Sequence, residues 1–108
     1  MIIDFHTHAF PRAIAARAVE TLSFAAGGLI PQTDGSLDSL KREMLLDGVD
    51  LSVVQCIATK PSQQKKVNDF ALEADRDPSV IAFGSVHPEA PDAFEELERL
   101  AAAGIRGI

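Results

Sequence analysis

Residues 51–59 read LSVVQCIAT, and this stretch decides the fold class. It is rich in β-branched residues and lacks a clean alternation of apolar and polar positions, which is typical of a strand buried on both faces. Such strands belong to parallel sheets, in which helices connect one strand to the next. The sequence on either side of 51–59 shows helical patterns, so we predict a parallel α/β fold.

The helix before this strand is delimited by its end signals. Residues 37–47 place apolar side chains on one face, Ser36 is a candidate N-cap, and Gly48 marks the end. The other predicted elements are strands over 1–10 and 80–86, helices over 12–24, 62–76 and from Pro91 to about Gly104, and the start of a fourth strand over 105–108. We expect the sheet to be covered by Leu37, Leu40, Met44, Val67, Phe70, Phe94, Leu97 and Leu100.

The order of these elements predicts consecutive right-handed crossovers between parallel strands. It fits about three βα units, plus the start of strand four, of a (βα)8 TIM-like barrel. A complete barrel of this kind needs roughly 200 to 250 residues, whereas the chain has 108. We therefore expect residues 1–108 to form one partial barrel domain, truncated at its C-terminus.

Composition narrows the classes of function. The chain has 16 acidic and 10 basic residues and a formal net charge of -6, which argues against binding to nucleic acid. No apolar run reaches the roughly 18 residues of a membrane span, and the N-terminus lacks a basic leader. The single cysteine, Cys56, lies in an apolar run and is expected in the core. We expect a cytoplasmic protein with no nucleic-acid or membrane partner.

Two histidines are the candidate metal ligands. His6 and His8 are two residues apart on the first predicted strand, so both side chains leave the same face. At this spacing two imidazoles can converge on one ion, and the end of a strand is where parallel α/β proteins build their sites. Asp4 lies on the same face and is a candidate to orient an imidazole, or else a buried carboxylate paired with a later strand.

Residues 1–11, MIIDFHTHAFP, resemble the opening strand of the amidohydrolase superfamily. The resemblance is to its amidohydrolase-related metal-dependent hydrolases, a group that also includes decarboxylases. Further stretches that resemble the same group are 34–37 (DGSL), 48–50 (GVD), 58–63 (ATKPSQ) and 84–88 (GSVHP).

This resemblance implies that His6 and His8 bind a divalent metal, usually zinc. It implies hydrolysis of an amide, lactone or ester-like bond in a small molecule, or alternatively a non-oxidative decarboxylation with the same metal. In this family the remaining metal ligands come from later strands, so we expect the isolated chain to be inactive. A phosphoesterase is a weaker alternative, because a Ser-Asp-Gly type of turn usually follows the histidines there.

Two further residues are candidates for contacting substrate. Lys60 and His87 follow the second and third predicted strands, at the edge where such sites are built. The simpler interpretations are that Lys60 is an exposed loop lysine and that His87 caps a strand. Outside enzymology, the chain could be a non-catalytic half-barrel fragment, and its open sheet would then favour self-association.

Overall fold

The computed structural model describes residues 1–108 and has an α/β fold with a three-stranded parallel sheet. The elements are β1 (Ile3–Thr7), α1 (Arg12–Ala25), α2 (Leu37–Asp47), β2 (Leu51–Gln55), α3 (Gln64–Ala74), β3 (Val80–Phe83) and α4 (Ala93–Ala102). A 3₁₀ turn at Pro61–Gln63 leads into α3. None of the helices is long and apolar enough to cross a membrane.

The strand predicted from LSVVQCIAT is the centre of the sheet. β2 pairs in parallel with β1 on one side and β3 on the other. Val53 and Val54 are 1% and 0% exposed although their side chains leave opposite faces of the strand. The prediction that this strand is buried on both faces is therefore confirmed.

The main core lies between the sheet and the helices. Its buried residues come from the strands, from α3 and from the segments that follow β1 and β2: Ala9, Val54, Cys56, Ala71, Ala74, Val80 and Ala82. Leu37 and Leu40 of α2 and Val67 and Phe70 of α3 pack against this cluster, as predicted.

The two end signals of α2 are confirmed. The Ser36 hydroxyl accepts a hydrogen bond from the Ser39 N–H, which satisfies one of the free donors of the first turn. Gly48 ends the helix with a φ of 70°, a left-handed conformation that side chains disfavour. The loop that follows carries the chain directly into β2.

All three strands are shorter than predicted, and at the ends of β2 and β3 backbone groups bond to side chains instead of to the neighbouring strand. After β2, the Ala58 N–H donates to the Ser85 hydroxyl. After β3, the Ser85 N–H donates to Asn68 Oδ1. Backbone groups that are satisfied in this way cannot continue a strand pairing.

Two predictions in the C-terminal part are wrong. Residues 105–108 form no strand. A single backbone hydrogen bond, from the Gly84 N–H to the Gly107 carbonyl, joins them to the end of β3, and one bond does not make a strand pairing. Phe94 does not face the sheet but is 81% exposed, whereas Leu100 of the same helix is buried, as predicted.

The opposite face of the sheet carries exposed apolar side chains. Ile3 and Phe5 of β1 are 48% and 65% exposed. The ring of Phe5 meets that of Phe83 edge to face, with 6.1 Å between the centroids, although a whole strand separates them. One face of the sheet is thus covered by helices, while on the other face the apolar side chains of β1 are exposed to solvent.

Candidate metal centre

A bulge at the end of β1 positions the candidate metal ligands. Between Asp4 and Thr7 the strand advances three residues while β2 advances two, from Ser52 to Val54. Bulges of this kind re-aim side chains and are frequent beside functional sites. Thr7 is buried, and its hydroxyl donates to the Val53 carbonyl at 2.9 Å. This bond anchors the residue that separates the two histidines.

The imidazoles of His6 and His8 converge. Their Nε2 atoms are 3.2 Å apart, with 5.1 Å between ring centroids and 70° between ring planes. Two imidazole nitrogens bound at about 2.0–2.1 Å to one tetrahedral zinc ion would lie roughly 3.3–3.4 Å from each other. The observed separation fits a shared ion to within about 0.2 Å.

A backbone carbonyl holds the ring of His8. His8 Nδ1 lies 2.9 Å from the Gln55 carbonyl oxygen, which can only accept, so we assign the ring proton to Nδ1. His8 Nε2 then accepts a hydrogen bond from the His6 Nε2–H at 3.2 Å, so its lone pair faces His6. Metal-binding histidines commonly donate their other N–H to a carbonyl or carboxylate in this way.

Sequence reasoning did not identify Gln55 as a partner of His8. The group that acts is a main-chain oxygen, so the residue type carries no signal for it. The available clue is positional, because a carbonyl at the end of the neighbouring parallel strand lies beside the end of β1. The Gln55 side chain also donates to the Phe5 carbonyl at 3.2 Å, which ties the two strand ends together.

Asp4 contacts the main chain of this site. Its Oδ1 accepts a hydrogen bond from the His6 backbone N–H at 3.2 Å. The Asp4 carboxylate is exposed and pairs with neither β2 nor β3. Asp4 therefore supports the bulge, and the imidazole bond observed is the one from His8 to Gln55.

The pair of histidines has no third partner. No group of three or more His, Cys, Asp or Glu side chains is arranged to hold a metal ion. Catalytic zinc sites normally have three protein ligands and an open position. His6 and His8 thus offer two nitrogen donors, one fewer than such a site normally has.

His87 makes local hydrogen bonds, whereas Lys60 is an exposed residue at the start of a turn. His87 Nδ1 accepts from the Glu89 N–H at 3.2 Å, and the His87 N–H donates to Gln64 Oε1 at 2.9 Å, so the residue closes the turn after β3. Lys60 is exposed and precedes the 3₁₀ turn. Burial raises the pKa of the Cys56 thiol to about 12, which fits its predicted place in the core.

A buried polar network at the end of β3 escaped sequence reasoning. Asn68 is 0% exposed and donates to the Ser85 carbonyl and to Glu96, at 2.8 and 2.9 Å. Arg99 binds the same carboxylate, and hydrogen bonds from Arg99 and Asn68 hold the pKa of Glu96 below its ordinary value. Every side chain of this network has a partner, so it stabilises the fold rather than forming an open site.

Comparison with known proteins adds no further support. The chain matches no protein-family model, no curated protein and no solved structure. The functional argument therefore depends on the geometry of the residues described above.

Proposed function

We propose that this chain carries part of the metal centre of an amidohydrolase-type, metal-dependent hydrolase. The substrate would be a small molecule with an amide, lactone or ester-like bond. The observation that supports this proposal is the 3.2 Å separation between the Nε2 atoms of His6 and His8, with His8 Nδ1 bonded to a carbonyl. This is the arrangement that a metal site with an oriented imidazole requires.

We further propose that the sheet is part of a TIM-like barrel. Strands in the order β1-β2-β3, all parallel, place their crossovers on one side of the sheet. Leu100 of α4 lies on the covered side, where a Cβ at Gly84 would be 2.6 Å from Leu100 Cδ1. Strands two apart are separated by about 9.5 Å, so the 6.1 Å contact between Phe5 and Phe83 supports a concave inner face.

Each residue of the site has a defined task in this proposal. His6 and His8 would hold zinc through Nε2, and the Gln55 carbonyl keeps the His8 proton on Nδ1. Thr7 and Asp4 fix the backbone between the two ligands. A bound zinc ion would act as a Lewis acid, which polarises a carbonyl group and lowers the pKa of water from 15.7 to about 7.

We expect the two-histidine site to bind zinc weakly. With two donors instead of three, the affinity falls below that of a complete site, and the isolated chain would lack turnover. The non-oxidative decarboxylase uses the same two ligands and stays an alternative form of this proposal. The groups that contact the substrate would distinguish a hydrolase from a decarboxylase. No observed contact positions Lys60 or His87 for that role.

A second candidate is a non-catalytic half-barrel that self-associates. The exposed Ile3 and Phe5 on the open face favour it, because water-exposed apolar patches tend to be covered by a partner. Light scattering of the wild type and of Phe5→Ser tests this candidate. A concentration-dependent increase in mass that Phe5→Ser abolishes supports it, and a stable wild-type monomer contradicts it.

Zinc titration tests the proposed function. We expect the chain to bind one zinc ion per molecule with roughly micromolar affinity, measured by isothermal titration calorimetry, because two imidazoles contribute. His6→Ala and His8→Ala should each weaken binding by at least about tenfold. His87→Ala is the matched control and should leave the affinity unchanged, since His87 lies in a different loop and closes a turn.

Two outcomes would contradict the proposal. Absence of zinc binding, or equal loss in all three variants, would show that the paired imidazoles are not a metal site. Rapid zinc-dependent hydrolysis of p-nitrophenyl acetate by the purified chain would overturn the claim that the site is incomplete.

A further inference from the structure

An open cavity of about 260 Å³ lies beside His8. His8 forms part of its wall, and the rest comes from the segment that follows β1, from α1 and from the loop that follows α1. Most of the wall is apolar, including Phe10, Val19, Leu22, Leu29 and Ile30. The cavity therefore adjoins the candidate metal centre.

Hydrogen bonds hold this cavity in shape. The Ser23 hydroxyl donates to the Leu29 carbonyl at 2.6 Å, and the Gly28 N–H donates to the Ser23 carbonyl at 2.8 Å. On the other side, the Phe10 N–H donates to the Gly35 carbonyl at 2.8 Å. These bonds tie the loop to α1 and to the segment that follows β1.

A glycine closes the loop against α1. Gly35 has a φ of 81°, and a Cβ there would lie 2.4 Å from Val19 Cγ2. Any side chain at this position would push the loop away from the helix and would also strain the backbone. The close approach at Gly35 thus keeps one wall of the cavity in place.

The chemistry of the wall defines what can enter. None of its eleven residues is Asp, Glu, Lys or Arg. Two hydroxyls are present, and both are already bonded. The Ser23 hydroxyl of α1 donates to the Leu29 carbonyl, and the Thr33 hydroxyl accepts from the Gly35 N–H. Because apolar surface gains free energy when it leaves water, an uncharged apolar group is the preferred occupant.

We infer that this cavity binds a compact, uncharged apolar group of the substrate, whose reactive polar group would then lie at His6 and His8. The inference rests on the proposed function for the placement of the reactive group. A volume near 260 Å³ accommodates a six-membered ring, since a cavity of about 150 Å³ is known to hold benzene. The substrate class is therefore a small molecule with a ring or a short branched alkyl group next to the bond that reacts.

Two hydroxamates test the inference, because both carry the same metal-binding group and differ in the apolar part. With zinc present, benzohydroxamate should bind about tenfold more tightly than acetohydroxamate, since the phenyl ring buries more apolar surface. Without zinc, millimolar benzohydroxamate should shift the methyl NMR signals of Val19, Leu22 and Leu29, whereas acetohydroxamate should not.

A pair of variants controls the experiment. Leu29→Asp puts a charge on the cavity wall and should abolish the difference between the two hydroxamates. Leu45→Asp is the matched control, because Leu45 is exposed, lies on α2 and does not line the cavity. Both side chains are largely exposed, at 68% and 84%, so neither substitution disturbs the core.

The outcomes separate this inference from the proposed function. If zinc does not bind but benzohydroxamate still shifts the cavity methyl signals, the metal centre is refuted and the cavity site stands. If zinc binds through His6 and His8 while the two hydroxamates bind equally well, the cavity site is refuted. The cavity site is likewise refuted if Leu29→Asp leaves the difference between the two hydroxamates unchanged.

Discussion

His8 follows β1 and His87 follows β3, and the two imidazoles are held in opposite ways. At the end of β1, His8 donates Nδ1–H to a carbonyl and directs Nε2 towards His6. At the end of β3, His87 accepts a backbone N–H at Nδ1 and closes a turn. In the first arrangement the His8 Nε2 lone pair faces only the exposed ring of His6, whereas the second uses the ring as a cap.

This difference shows that a histidine at the end of a strand indicates a functional site only when its hydrogen-bond partners are known. The β3 end is surrounded by a fully bonded polar network around Asn68 and Glu96. The β1 end has an exposed His6, a bulge and an apolar cavity beside it. We expect substitutions at β3 to change stability and substitutions at β1 to change metal binding.

The largest effect is expected for Asn68→Ala. It removes three hydrogen bonds and leaves the buried Glu96 carboxylate and the Ser85 backbone without this partner. We expect the free energy of unfolding to fall by about 3 kcal/mol, measured by urea denaturation. Zinc affinity of the fraction that stays folded should not change.

Lys66→Ala is the control for this substitution, because Lys66 is an exposed residue of the same helix. It should change stability by less than about 0.5 kcal/mol. If Asn68→Ala is no more destabilising than this control, the polar network at the end of β3 does not stabilise the fold.

A smaller effect is expected for Thr7→Val, which removes the bond to the Val53 carbonyl between the two histidines. We predict that zinc affinity falls about tenfold, which corresponds to about 1.4 kcal/mol, because the ligands lose their fixed orientation. Calorimetry measures this loss. Thr21→Val, which removes an exposed hydroxyl bond on α1, should leave the affinity unchanged. Equal affinities for wild type and Thr7→Val would show that the bulge does not position the ligands.

The smallest effect concerns acid stability at the N-terminal end of β3. Hydrogen bonds from Lys41 and Ser79 lower the pKa of Asp77 from 3.8 to about 2. The folded state favours the ionised carboxylate of Asp77. Its contribution to the free energy of unfolding is therefore present above pH 3.8 and is lost as the pH falls towards about 2.

Asp77→Asn should therefore lower stability at neutral pH by about 1 kcal/mol or less, since solvent screens this ion pair. The difference from wild type should shrink between pH 3.8 and about 2. Urea denaturation across this range measures it. A difference that stays constant down to about pH 2 would contradict the assignment to Asp77.

The sequence predicted the fold where local signals and burial agree. The β-branched run over 51–59 and the Ser36 and Gly48 end signals identified the central strand and α2 correctly. Prediction failed at residues 105–108, where apolar composition suggested a strand but one backbone bond connects the segment to the sheet. It also failed at Phe94, because the rotation of α4 depends on packing and not on spacing alone.

The candidate site was predictable only in part. The spacing of His6 and His8 predicted that their rings share a face, and the rings do converge. The bulge, the Gln55 carbonyl and the cavity formed with α1 arise from contacts between residues distant in sequence. No residue type in the sequence marks them, so they become visible only in the folded chain.

The central claim is that His6 and His8 bind one metal ion through their Nε2 atoms. Long-range ¹H–¹⁵N NMR of the histidine side chains during a zinc titration tests it most directly. We predict that both Nε2 signals shift together and saturate at one zinc per chain, with His8 Nδ1 still protonated and His87 unaffected. If only one of the two Nε2 signals shifts, or if His87 responds equally, the paired-ligand account is wrong.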